Sequence, residues 1–259
     1  MKVLDEVGQG TTDVFAYAGG VAELGADAAR FIVRLQIRVR ETFDQAYFLG
    51  VGSWSIVVLT SLFTGLVISL ESAQQAVQYG VGSFVGGAVT YVAARELGPL
   101  LTAIVVAGRT GAAVAAELGS MVVTEQIEAL QALGLSPTRM LVVPRLVALL
   151  VMLPLLTIIA DVVAIGAGAW MANVYAHISF QTFLESARST VPFLDFLKGM
   201  GKAAVFAIII ALIGSYQGLS TRGGAAGVGR STTSAVVTAI ILIFVFNFAL
   251  SYVLFGGGR

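Results

Sequence analysis

Residues 81–124 read VGSFVGGAVTYVAARELGPLLTAIVVAGRTGAAVAAELGSMVVT, and the division of this stretch decides the fold. It is apolar apart from Arg95, Glu96, Arg109 and Glu117. As one helix its 44 residues would be about 66 Å long at 1.5 Å per residue, against a hydrocarbon core of about 30 Å. Either one kinked helix projects beyond a bilayer, or two half-length pieces share the sequence. Pro99, after Gly98, is the natural break, because proline has no N–H and its ring crowds the preceding turn. The stretch counts as one interrupted span.

Four further runs are long enough to cross a bilayer. Residues 49–70 and 231–258 carry no charge at all. Residues 203–221 are uncharged and follow Lys198 and Lys202, so Lys202 opens that span. Residues 146–176 are apolar except for Asp161, with a possible bend at Pro154. The composition agrees: 57% of residues are hydrophobic, 12% are charged and the mean hydropathy is +0.90. A soluble globule carries about 25% charged residues, and a disordered chain is poor in large apolar residues, so both classes are excluded. The expected fold is an all-α polytopic membrane protein with five transmembrane helices. The first long apolar run starts only near Leu49, with no basic, apolar and small-residue pattern before it. No cleaved signal peptide is therefore expected.

Residues 1–46 form a separate region. Val14, Tyr17, Val21, Leu24, Ala28, Phe31, Leu35 and Val39 recur every three or four residues, one face of a helix. Arg30, Arg34 and Arg38 add a basic stripe. Such a helix suits the headgroup region, or a surface packed on a partner. Residues 47–259 are then the membrane domain. Eight arginines (Arg30, Arg34, Arg38, Arg40, Arg139, Arg145, Arg222, Arg230) fall on one side of the five spans, and Arg188, Lys198 and Arg259 on the other. The positive-inside rule places the N-terminus in the cytoplasm and the C-terminus outside.

Lys plus Arg and Asp plus Glu are 15 each, a balance that argues against a nucleic-acid partner. With no cysteine and one histidine, His177, no metal site is expected, and no cofactor. The glycine-rich residues 223–229 read as a flexible cytoplasmic loop. The single Gly-Lys pair, Gly201-Lys202, lacks the glycine and hydroxyl residue of a phosphate-binding loop. No catalytic residue set appears, so the chain is not expected to be an enzyme.

Charges inside a membrane are expensive and suggest function by default. Arg95, Glu96, Lys202 and Asn247 form an expected intramembrane polar cluster, either a reorganising site or a fixed ion pair. Asp161 reads as structural. Residues 124–135 predict a short cytoplasmic helix: Thr124 caps its start, Glu125 lies in its first turn, and Gly134 and Pro137 stop it. Ile127, Leu130 and Leu133 form an apolar ridge beside Glu125 and Glu128. Such a helix can dock in a partner's groove or lie on headgroups, and two glutamates favour docking. At the outer end of the first span, Glu71, Gln74, Gln75, Gln78 and Tyr79 interleave with Ile68, Ala76 and Val77. A lipid pocket needs this mixture, although an ordinary interfacial helix end has it too. The spacings Gly82-x-x-x-Gly86 and Gly214-x-x-x-Gly218 permit close helix approach.

Four ordered motifs, Arg95-Glu-Leu-Gly-Pro99, Ala107-Gly-Arg-Thr-Gly111, Ala116-Glu-Leu-Gly-Ser-Met121 and Thr124-Glu-Gln126, resemble the core of MlaE/YrbE-type permeases. These are membrane subunits of MCE-associated ABC transporters that move lipids. The similarity runs from about Phe43 to Phe255. It implies a homodimer in the bacterial inner membrane, with a cytoplasmic ATPase, an MCE-domain lipid-binding partner, a small STAS-domain regulator and phospholipid as cargo. It makes Thr124, Glu125, Ile127, Glu128, Leu130 and Leu133 the ATPase-coupling residues. It makes Ile68, Glu71, Gln75, Tyr79, Arg95 and Leu97 the lipid-contacting set at the dimer interface. Arg95, Glu96 and Lys202 match the family's charged positions, whereas Asn247 stands where its members carry an Asp. The alternatives are a stand-alone secondary transporter or channel, since broken helices and midplane charges mark those too, or a scaffold subunit with no transport path.

Overall fold

The structure, a computed structural model, describes the backbone of residues 2–256 and the side chains of Thr12 and residues 15–256. The side chain of Val14, on the expected apolar face, and Gly258 and Arg259, at the expected outer end, lie outside those described. Among the described residues the helical segments are α1 (Lys2–Val33), α2 (Val39–Gln78), α3 (Gly82–Val123), α4 (Gln126–Ala132), α5 (Thr138–Ala176), α6 (Phe180–Thr190), α7 (Phe193–Leu219) and α8 (Gly224–Phe255). No strand is present among them. Five segments, α2, α3, α5, α7 and α8, are long and apolar enough to cross a membrane. The chain is an all-α polytopic membrane protein with five candidate spans.

The boundaries differ from those expected. The second span is not broken at Pro99: α3 runs on for 42 residues. Its interruptions are two π-helical turns, Ala93–Leu97 and Ala107–Gly111. Pro99 follows the first of these, where the backbone ladder is already shifted. α5 likewise continues through Pro154. The first span begins at Val39, through a π turn at Ala46–Gly50 and a tight turn at Val51–Ser53. α7 begins at Phe193, so Lys202 does not open the fourth span but lies inside its helix, fully buried. The glycine-rich stretch is not a loop either. Gly223, at φ 87°, makes the turn and α8 starts at Gly224. Gly227 lies against the Arg222 carbonyl, a packing gain that offsets the low helix propensity of glycine.

The N-terminal region also departs from expectation. α1 ends at Val33, and Leu35 adopts φ 53°. Arg34 and Arg38 therefore leave the helix and the basic stripe does not form. Arg30 pairs with Asp27 at 2.9 Å and Arg38 pairs with Glu41. The apolar face is covered by the protein's own spans: Ala28 is fully buried, and the Tyr17 ring meets Tyr216 edge-on at 5.0 Å. Leu35 and Val39, beyond the helix end, are exposed.

Small residues set the packing distances, as helix association in lipid requires. Gly65 of α2 lies against the Ala164 carbonyl of α5, and Ser69 Oγ donates to the Gly168 carbonyl at 2.6 Å. Gly214 and Gly218 of α7 face Gly111 and Ala115 of α3, so both members of that spacing are used. Of the other pair, Gly86 lies against the Phe183 carbonyl of α6, while Gly82 has only loose contacts. Val substituted at Gly65 would drive its Cβ into the Ala164 carbonyl. The expected cost is about 1–3 kcal/mol, read as a lower unfolding temperature in detergent. Ala at Gly108, which faces open space, should leave that temperature unchanged.

Candidate functional site

The first π turn bonds the Gly98 N–H to the Ala93 carbonyl, five residues back. Residue 99 would supply the next donor, and proline has none. In that five-residue register the missing donor would have served the Ala94 carbonyl, and in an α-helical register the Arg95 carbonyl, four residues before Pro99. Lys202 of α7 supplies the Arg95 carbonyl with a donor from outside the helix: its Nζ donates to it at 2.8 Å. The same ammonium donates to Glu96 Oε2 at 3.0 Å and to Ser251 Oγ at 2.9 Å. All three of its protons have partners, and the side chain is fully buried. Beside it, Gly199 lets α7 approach the Ala94 carbonyl, where a Cβ would collide.

Glu96 is held equally fully. Asn247 Nδ2 donates to Oε2 at 3.0 Å, and Ser251 Oγ lies 2.8 Å from Oε1. An ionised Asp at position 247 could not donate as this amide does. The expected members Glu96, Lys202 and Asn247 therefore do meet, bringing together α3, α7 and α8. Ser251, one turn beyond Asn247, was missing from the sequence reading.

Arg95 enters this cluster only through its carbonyl. Its guanidinium turns the other way, with Nε and Nη2 on Asp195 Oδ2 at 2.8 and 2.5 Å and Nη1 on the Tyr91 hydroxyl at 2.6 Å. It lies over the Tyr91 and Phe255 rings at 4.2 and 4.5 Å. Asp195 is buried, and Lys198 lies 4.0 Å from its other oxygen. Asp195, Lys198 and Lys202 are spaced three and four apart, a legible signal once α7 is known to start at Phe193. Two further pairs were also missed. Buried Arg145 holds Glu117 at 2.8 Å, and Arg109 donates to Ser53 Oγ at 2.9 Å.

The expected lipid set separates. Ile68 and Leu97 line one narrow crevice between α2, α3 and α5. Glu71, Gln75 and Tyr79 stand exposed at the C-terminal end of α2, and Arg95 is occupied by Asp195. The expected coupling helix is shorter than residues 124–135. Thr124 does not cap it: its hydroxyl donates back to the Ser120 carbonyl at 2.8 Å and closes α3. Glu125 precedes the first turn instead of lying in it, at φ 60°. Nor is the apolar ridge free. Ile127 is buried and Leu130 half-buried against the chain itself, while Glu125, Glu128 and Leu133 are exposed. Gly134 ends the helix at φ 72°, as expected.

These features define a multi-pass membrane protein: five apolar candidate spans, an internally paired charge cluster and a short exposed helix between the second and third. The family model for Permease MlaE matches residues 42–253, and the chain belongs to this family. A probable ABC transporter permease of Synechocystis sp. is 41% identical over 226 residues, 87% of this chain and 86% of that one. A probable ABC transporter permease of Rickettsia typhi is 34% identical over 256 residues, 98% of each chain. The chloroplastic protein TRIGALACTOSYLDIACYLGLYCEROL 1 of Arabidopsis thaliana is 38% identical over 226 residues, 87% of this chain and 65% of that one. The chain is thus a permease subunit of an ABC transporter.

Lys202→Met would strip the ammonium from Glu96 and from the Arg95 carbonyl at once. Glu96 is partly exposed and keeps Asn247 and Ser251, so the expected cost is about 1–3 kcal/mol, measurable by thermal unfolding in detergent. Adding Pro99→Ala, which restores a backbone donor, should recover part of that loss.

Proposed function

We propose that the chain acts as a homodimer moving phospholipid between the bacterial inner membrane and an MCE-domain lipid-binding partner, with its N-terminus cytoplasmic. A separate cytoplasmic ATPase drives the movement, and a small STAS-domain protein regulates it. The observation that carries this reading is the uncovered face of α2. Its outer end exposes Glu71, Gln75 and Tyr79, and below them Leu59, Phe63 and Val67 form an exposed apolar stripe. A polar upper wall over an apolar lower wall suits a headgroup and its acyl chains. A second copy would close such a face. α8 supports the dimer, with Val237, Ile241, Phe244, Phe248 and Tyr252 exposed along one side.

At the other end of the spans, Glu125, Glu128 and Leu133 offer the ATPase a small acidic and apolar knob, anchored by buried Ile127. The Arabidopsis relative carries the name of a glycolipid, which agrees with lipid cargo. An ion-coupled secondary transporter is disfavoured because the protons of Lys202 are all engaged within the protein.

Glu125→Arg combined with Glu128→Arg should abolish ATPase capture by the purified permease while leaving its unfolding temperature unchanged. Undiminished capture would exclude α4 as the docking element. A photo-crosslinker at Tyr79 should label phospholipid in cells far more strongly than one at Val151, exposed on α5 away from both faces. Equal labelling would mean bulk bilayer contact only.

A further inference from the structure

Three of the four charges in α3 have an opposite charge beside them: Asp195 for Arg95, Lys202 for Glu96 and Arg145 for Glu117. Arg109, the fourth, makes no ion pair among the described residues. It projects from the π turn at Ala107–Gly111 toward the irregular start of α2, where the π turn at Ala46–Gly50 meets the tight turn at Val51–Ser53. Its Nη1 donates to Ser53 Oγ at 2.9 Å and to the Phe48 carbonyl at 3.4 Å. Those bonds use the two protons of Nη1. Nε and Nη2 have no acceptor among the described residues, yet neither is a buried unmatched atom: the side chain is half-buried, and these donors reach the surface. Glycine forms the wall beside them. Gly52 and Gly108 are both exposed. A Cβ at Gly52 would collide with Nη2, while Gly108 faces open space.

The depth of this guanidinium says what can meet it. Residues 45–70 of α2 carry no charge, and Glu71 follows. About 20 residues back from Glu71, the length that crosses the hydrocarbon core, lies Val51. Ser53 and Arg109 therefore stand at the edge of that core on the side of α4. Tyr47, 72% exposed, and Trp54, 52% exposed, mark the same level, where aromatic side chains collect beside the headgroups. A charge here is expensive unless an anion meets it, and the anions at this depth are lipid phosphates.

We infer that Arg109 binds the phosphate of a phospholipid in the leaflet on the α4 side, with Nε and Nη2 as donors and with Gly52 and Gly108 leaving room for the headgroup. Adjacent N–H donors of a guanidinium suit two phosphate oxygens at once. Phe48 and Val51, both half exposed, give the acyl chains an apolar flank. The site lies at the opposite end of α2 from Glu71, Gln75 and Tyr79, and it does not rest on the cargo pocket proposed there.

Two lipids that are both uncharged overall isolate the phosphate: phosphatidylcholine has one and digalactosyldiacylglycerol has none. The full-length chain, with a benzophenone photo-crosslinker in place of the Phe48 ring, is reconstituted in vesicles of equal amounts of the two with matched acyl chains. Labelled lipid is identified by mass spectrometry. Phosphatidylcholine should be labelled about tenfold more than the galactolipid, the worth of one hydrogen bond to a charged group. The same crosslinker at Val151 should show no preference. Val151 is exposed on α5 at the depth of Gly50, which lies against Met152. Arg109→Gln keeps an amide donor for the Phe48 carbonyl but removes the charge, and should abolish the preference at Phe48. Gly52→Val, which fills the space beside Nη2 and keeps the charge, should abolish it too. Size-exclusion elution at the wild-type position verifies folding of each variant. Excess inorganic phosphate should leave the ratio unchanged, because the acyl chains hold the lipid. No preference at Phe48 in the wild type, a preference that survives Arg109→Gln, or its loss to inorganic phosphate would overturn the assignment. An unselective wild type whose dimer is split by Arg109→Gln would give the guanidinium to a carboxylate of a second copy instead. Loss of Tyr79 crosslinking alone would count only against the α2 pocket.

Discussion

The bond from Lys202 Nζ to the Arg95 carbonyl is the constraint around which the packing of α3, α7 and α8 is arranged. Pro99 sits in the middle of a membrane helix and removes a backbone donor where no water can replace it. An unmet carbonyl there costs several kcal/mol. A buried lysine has the opposite problem, since its charge needs acceptors. Each resolves the other, and Glu96 neutralises the result. Because the donor comes from α7 and the remaining acceptor from α8, the repair of one helix fixes the position of two others. Gly199 follows from this, because α7 must come close enough for the lysine to reach.

This arrangement bears on how an ABC permease can work. With all three ammonium protons of Lys202 matched, any displacement strands a charge or a carbonyl. The cluster therefore suits a rigid block that moves as a unit. The pairing of α2 with α5 through Gly65 and Ser69 forms a separate contact, built from small residues with no charge. The two blocks meet along the narrow crevice lined by Ile68 and Leu97.

Much of the fold was legible because the cost of charge in lipid leaves long apolar runs in any membrane sequence. The helix ends were not. Residues 39–48, 193–202 and 224–230 carry charges or glycines that look like flanks, yet all are helical; Asp195, Gly199 and Lys202 pack inside, whereas none of Val39–Gln45 is buried. Asp195 was invisible for this reason: it lies in a stretch that reads as flank, so Arg95 had no visible partner and fell in the lipid-contacting set. Glu96, Lys202 and Asn247 were found because polar groups inside spans must pair. The rule does not say with whom, so the Arg95 carbonyl and Ser251 went unseen. On α4 the apolar spacing was visible, but not that Ile127 would turn inward. The cap expected at Thr124 failed because Glu125 takes a left-handed conformation, which short-range patterns do not favour for that residue.

The most direct test of the Lys202 bridge is solid-state NMR dipolar recoupling between ¹⁵Nζ-labelled lysine and carbonyl-¹³C-labelled arginine, in lipid bilayers. The chain has three lysines, Lys2, Lys198 and Lys202, so the signals can be assigned by single substitutions. The structure predicts strong dephasing of the Lys202 signal by an arginine carbonyl and none for Lys198, whose ammonium bonds the Leu254 carbonyl at 2.9 Å. A Lys202 signal unaffected by the arginine label would contradict the bridge and the account of α3 built on it.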